Sequence, residues 1–94
     1  MAAYLIGHIT IKDAVKWEKY VEGVQVSLAP FGAKILFRGK RFNVFTGEHP
    51  YHNTVVIEFS EPSAMQQWYS SENYQKLITL RDQAADVVII GFDT

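Results

Sequence analysis

The sequence predicts an α+β fold of the split β-α-β, ferredoxin-like kind, with one sheet and one layer of helices. Three observations predict it. Four apolar, β-branched or aromatic runs read as strands: Tyr4–Ile11, Ala33–Arg38, Thr54–Phe59 and Val87–Phe92. Apolar residues at helical spacing fill the gap after the first run and the gap after the third. The second and third runs have no helix between them, so they must be near neighbours, and the order becomes βαββαβ.

The first strand carries Tyr4, Ile6, His8 and Thr10 on one face and Leu5, Gly7, Ile9 and Ile11 on the other. Both faces are largely apolar, which suits a central strand covered on both sides. Asp13 is placed to cap the next helix. Trp17, Tyr20, Val21, Val24 and Leu28 form its apolar stripe, with Lys16, Glu18, Lys19 and Glu22 mostly elsewhere on the wheel. Gly23 lowers helix propensity without breaking the stripe. Ala29-Pro30-Phe31-Gly32 ends the helix.

The second strand puts Ala33, Ile35 and Phe37 on one face. Arg38-Gly39-Lys40-Arg41 is a turn signal, and Phe42 to Thr46 is extended again. Either a tight hairpin or one long strand with a bulge at Gly39 fits that pattern. Gly47 to Asn53 is a polar loop. The third strand, Thr54–Phe59, feeds straight into a helix with Ser60 as its expected cap and Pro62 just inside. Ala64, Met65 and Trp68 make a first helical face. Ser70 or Ser71 recaps the chain, and Tyr74, Leu77, Ile78, Arg81 and Ala85 make a second face. Val87–Phe92 is apolar on both faces and reads as an internal strand.

Ninety-four residues make one domain, 1–94, with little surface to spare for its core. Aromatic residues are 14% of the chain, so many rings must be buried in a core, a pocket or an interface. The net charge of -1 gives no broad electrostatic case for nucleic acid. The chain has no cysteine, which excludes disulfides, thiolate catalysis and cysteine-held metals and is compatible with a cytoplasmic location. No signal peptide and no membrane span are expected. Helices enough for one sheet face leave the other apolar face uncovered. A second copy of the chain is the economical cover, so a homodimer is expected.

Ala33-Lys34-Ile35-Leu36-Phe37-Arg38-Gly39, Val56-Ile57-Glu58-Phe59, Trp68-Tyr69-Ser70-Ser71, Tyr74 and Arg81 resemble the family labelled domain of unknown function 1330. The resemblance covers nearly the whole chain. That family belongs to the dimeric α+β barrel superfamily. It more often has Gly-Gly where this chain has Gly32-Ala33 and Gly39-Lys40, which are differences of loop geometry. The resemblance implies a ferredoxin-like protomer whose sheets pack face to face into a dimeric barrel. It implies no activity. The superfamily includes cofactor-independent monooxygenases, haem-handling enzymes, muconolactone isomerase-like enzymes and small ligand-binding modules. Fold alone does not choose among them.

Four residues stand out as ligand-binding candidates. Arg81 shares a face with Tyr74, Leu77 and Ile78 and needs a partner there, because an unpaired buried charge is costly. Glu58 or backbone carbonyls are the expected partners. Its two readings are a pin for the helix and an anion-binding group at a pocket rim. Arg38 ends a strand. It reads as a solvated strand end or as a clamp for carboxylate or phosphate. His8 reads as a satisfied core histidine or as a general base facing a cavity. Tyr69 sits one step off the Met65–Trp68 stripe, where its hydroxyl can reach a cleft edge. His49 and His52 flank Pro50-Tyr51 without metal-site spacing, so no metal is expected there, and no motif calls for a cofactor.

These residues support three readings. The first is a homodimer with an apolar pocket between sheet and helices, rimmed by Arg38, His8 and Tyr69, for a small anionic or aromatic molecule. The second is a cofactor-independent monooxygenase or isomerase, with His8 as base and Arg38 or Arg81 holding an oxyanion. The third is a structural dimer module without a ligand. The first two expect His8 and Arg38 to line one pocket.

Overall fold

A computed structural model describes residues 2–94. The elements run β1 (Ala3–Ile11), α1 (Ala14–Leu28), β2 (Lys34–Lys40), β3 (Asn53–Phe59), α2 (Pro62–Ser70), α3 (Glu72–Gln75), α4 (Ile78–Ala84) and β4 (Ala85–Asp93). The sheet order is β2-β3-β1-β4, with every neighbouring pair antiparallel. This is the predicted ferredoxin-like arrangement. The protomer is a slab of 33 × 31 × 17 Å, thick enough for one sheet and one helical layer.

Local chemistry explains most element ends. The Asp13 carboxylate accepts from Lys16 N at 3.1 Å and starts α1. A short 3₁₀ turn, Ala29–Phe31, closes it, and Gly32 follows with φ 62°, where a Cβ would be strained. The α2 cap is Glu61 and not Ser60, with Pro62 first inside. The hydroxyl of Ser71 accepts from Tyr74 N at 3.3 Å and starts α3. The second helical face divides into α3 and α4, and Ala85 already belongs to β4.

In β1 the pleat separates Ala3, Leu5, Gly7 and Ile9, which are buried, from Tyr4, Ile6, His8 and Thr10, which are only half-buried. The buried set meets the helices. The other set belongs to a sheet face that no helix among the described residues covers. The register carries that open face across the sheet: Val88, Ile90 and Phe92 lie opposite His8, Ile6 and Tyr4.

Three expectations change here. β4 is an edge strand, and both its faces are apolar because the open face is apolar too. No bulge or turn falls at Gly39; β2 continues to Lys40, and the register shift lies between Ile35 and Phe37. That extra residue turns Phe37 to the open face, opposite Val56, and sets Arg38 on the helix face, opposite Val55. Phe42–Thr46 joins no strand; residues 41–52 form a loop closed by Arg41 N donating to His52 O at 2.7 Å.

Trp68 anchors the core at 1% exposure, against Phe59 and Tyr74 with ring centroids 5.6 and 4.3 Å away. Its Nε1–H donates to Ser27 Oγ at 2.9 Å, and Ser27 Oγ donates to Val24 O at 2.7 Å. Ser27 is the one buried polar side chain that α1 gives to this contact. We expect Ser27→Ala to destabilise the fold by about 1–3 kcal/mol, although alanine is the better helix former, because it strands a buried indole N–H. Denaturant unfolding of both proteins measures this.

Candidate functional site

Three spaces that could take a ligand open on the helix face of the sheet, and a fourth of about 620 Å³ is lined by Thr10, Tyr51, Asp82 and Asp86. Beneath α1 lies a small apolar chamber of about 30 Å³, lined by Gly7, Ile9, Trp17, Tyr20, Arg38 and Trp68 among others. A groove of about 240 Å³ adjoins it and shares Ile9, Trp17, Arg38 and Val55, adding Lys40 and Asn53. On the β4 side, a third space of about 340 Å³ shares Leu5 and Ile89 with the chamber and is bordered by Met65 and Tyr69. Gly91 makes that space possible: a Cβ there would lie 2.8 Å from Met65 Sδ.

Arg38 stands where chamber and groove meet. Packing around its stem lowers its pKa, yet a guanidinium remains charged throughout the physiological range. Among the described residues it has no carboxylate partner; the two salt bridges are Lys12–Asp86 and Arg81–Asp82. Trp17 supplies an aromatic wall beside it. A cation without an anion, at the mouth of an apolar space, suits an organic anion.

Arg81 is buried to 14% exposure on its side chain, but its partners are not those expected. Nη1 donates to Tyr74 Oη at 3.0 Å, and Nε donates to Asp82 Oδ1 at 3.0 Å. Burial alone would lower its pKa; the hydroxyls of Tyr69 and Tyr74 and the Asp82 carboxylate outweigh it and raise the value. Glu58 lies on the other face, where it accepts from Tyr4 Oη at 3.2 Å. The Tyr74 hydroxyl in turn meets Tyr20 Oη at 2.9 Å. Burial and its Tyr74 neighbour push the Tyr20 phenol far above its ordinary value, so it stays protonated.

His8 is on the open face. Its Nδ1 lies 3.3 Å from Thr54 Oγ1, and its ring meets His49 edge-on, with centroids 4.8 Å apart. Arg41 Nη1 holds the 49–51 segment near it by donating to the carbonyl of His49 at 2.7 Å. The expectation that His8 and Arg38 share a pocket is therefore overturned. The reason is the pleat: His8 pairs with Thr54 and Arg38 with Val55, adjacent residues of β3 that point to opposite faces. Of the four candidates, Arg38, Tyr69 and Arg81 are on the helix side and His8 is alone. Sequence reasoning missed Tyr20 and Lys40. Tyr20 had a signal: a phenol on an inward helical face must find a partner. Among the described residues no group of three or more His, Cys, Asp or Glu is placed to hold a metal, and no helix is long and apolar enough to cross a membrane.

A family model described as a domain of unknown function (DUF1330) matches residues 2–93. The chain belongs to the DUF1330 family. No curated protein matches the sequence. Several solved structures share the fold. A Rhodopseudomonas palustris protein of unknown function, RPA0582, is 12% identical with TM-score 0.83, over 99% of this chain and 82% of that one. A dimeric ferredoxin-like protein of unknown function from Jannaschia is 9% identical with TM-score 0.70, over 100% of both chains. SnoaB from Streptomyces nogalater, described as a cofactor-independent oxygenase, is 8% identical with TM-score 0.69, over 99% of this chain and 92% of that one. At such identities the likeness shows the fold alone.

The His8 pKa lies below its ordinary value of 6.5, first because burial disfavours the charged ring and second because His49 is beside it. As pH falls, the unfolded chain takes up this proton before the folded one. Acidification through the region below 6.5 therefore favours unfolding at this residue. We expect NMR titration to place His8 below 6.5 and His49→Ala to move it back upward.

Proposed function

We propose that this DUF1330 protein is a homodimer and that each protomer binds a small organic anion in the groove and chamber at Arg38. The observation that carries the reading is Arg38 itself, a cation without a carboxylate partner at the entrance to an apolar space. Lys40 adds positive charge at the groove, and Trp17 and Ile11 offer a surface for an apolar or aromatic body. Tyr69 borders the separate space near β4, so it serves this ligand only if the two spaces join.

Self-association is supported by the open sheet face. Phe37, Val88, Ile90 and Phe92 are exposed on it, beside the half-buried Ile6 and Val56. Apolar surface of that extent is unusual on a monomer. Fold relatives from Bacteroides fragilis, Jannaschia and Thermobifida fusca are described as dimeric. The oxygenase or isomerase reading with a histidine base lacks its central pairing, since His8 is across the sheet from both arginines. Binding without that chemistry is the better-supported reading.

Two outcomes are expected. Light scattering at micromolar concentration should give about twice the 10.7 kDa protomer mass, and Ile90→Glu with Phe37→Glu should give monomer. A thermal-shift screen of metabolites should find organic carboxylates that raise the melting point. For such a ligand, Arg38→Ala should remove roughly 1.5–3 kcal/mol of binding, the size of a charged hydrogen bond.

A further inference from the structure

The hydrogen bonds beneath α1 can be counted donor by donor. Arg81 is a donor only, and its Nη1 occupies a lone pair of Tyr74 Oη at 3.0 Å. Tyr74 Oη and Tyr20 Oη are 2.9 Å apart and buried, and one hydroxyl hydrogen lies between them. Two phenols carry two such hydrogens. The second has no acceptor within this relay.

Where that spare hydrogen sits follows from burial. If Tyr20 donates to Tyr74, the stranded hydrogen belongs to Tyr74, which is 0% exposed and borders none of the spaces described above. An orphaned hydroxyl in a dry interior is costly. If Tyr74 donates to Tyr20, the spare hydrogen belongs to Tyr20, which lines the chamber. The second arrangement is the stable one, and the Arg81 charge favours it by polarising Tyr74 toward donation.

The chamber then contains donors and no acceptor. Arg38 lines it and can only donate. The Trp68 N–H is already taken by Ser27. The other walls, among them Leu5, Ile9, Val24 and Ile57, are apolar. At about 30 Å³ the chamber has room for a water or for one oxygen-bearing group, and not for a whole ligand. The adjoining groove of about 240 Å³ has room for more.

We infer that Tyr20 is a ligand-binding residue: a carboxylate enters the chamber head first, one oxygen accepting from Tyr20 Oη and the other from Arg38, with its body in the groove. A carboxylate matches because it brings acceptors and no hydrogen of its own. The inference deepens the reading of the Arg38 groove as a binding site and rests on it. It adds the orientation of the ligand and a relay, Arg81 to Tyr74 to Tyr20, that aims the donor.

Benzoate is a suitable probe, read by tryptophan fluorescence because Trp17 and Trp68 line the chamber. Arg38→Ala and Tyr20→Phe should each weaken benzoate by about tenfold or more, with circular dichroism confirming that the variants fold. If Arg38→Ala weakens benzoate and Tyr20→Phe binds it as tightly as the parent, the Tyr20 assignment is overturned and the groove reading survives. If the parent does not bind benzoate, the Arg38 groove reading is overturned for aromatic carboxylates, and neutron diffraction from a ligand-free crystal decides the donor separately. A hydroxyl deuteron on Tyr20 Oη directed into the chamber supports the assignment; one directed at Tyr74 Oη overturns it.

Discussion

The pleat of β1 is the constraint on which the rest of the molecule depends. β1 lies between β3 and β4, so its two faces are the two faces of the sheet. Successive side chains must point to opposite sides. Leu5, Gly7 and Ile9 consequently define the floor of the chamber beneath α1, and Ile6 and His8 define the centre of the open face. A single register slip would exchange these sets and bury a histidine under α1. The separation of the arginine chemistry from the histidine chemistry is the same constraint seen from the site.

The helical layer is held to that floor by a polar thread as well as by apolar packing. Trp68 reaches Ser27 across the α1–α2 contact, and Arg81, Tyr74 and Tyr20 link α4, α3 and α1. Each buried polar atom in the thread has a partner, so desolvation is offset where it would otherwise oppose folding. Hydrogen bonds are directional, and apolar contacts are not. The thread therefore fixes how the helices are turned over the sheet, while Phe59, Trp68 and Leu28 supply most of the driving force.

The bulge in β2 decides what the site can be. Strict alternation would send Phe37 into the core and Arg38 out onto the open face. One extra residue between Ile35 and Phe37 reverses both. The open face gains an aromatic ring suited to a second sheet, and the chamber gains a cation at its mouth. A strand without the bulge would have the same composition and would leave the chamber without Arg38.

The sequence by itself determined the element order, the central place of β1 and the apolar character of both sheet faces. These follow from periodicity, which is local and is read within a few residues. It also singled out Arg81 as a charge on an apolar helical face and Arg38 as a cation at a strand end. Only the tertiary structure decided the partners. Arg81 meets Tyr74 and Asp82 rather than Glu58, because Glu58 alternates with Ile57 onto the face away from α4. Arg38 stands apart from His8, because a bulge leaves no mark in composition and shifts the alternation of everything after it. β4 lies at an edge although its pattern resembles an internal strand, because alternation records whether a face is covered and not by what. The contact between the Tyr20 and Tyr74 hydroxyls is further still from the sequence: it joins two helices across 54 residues, and the same Tyr74 oxygen accepts from a guanidinium seven residues along.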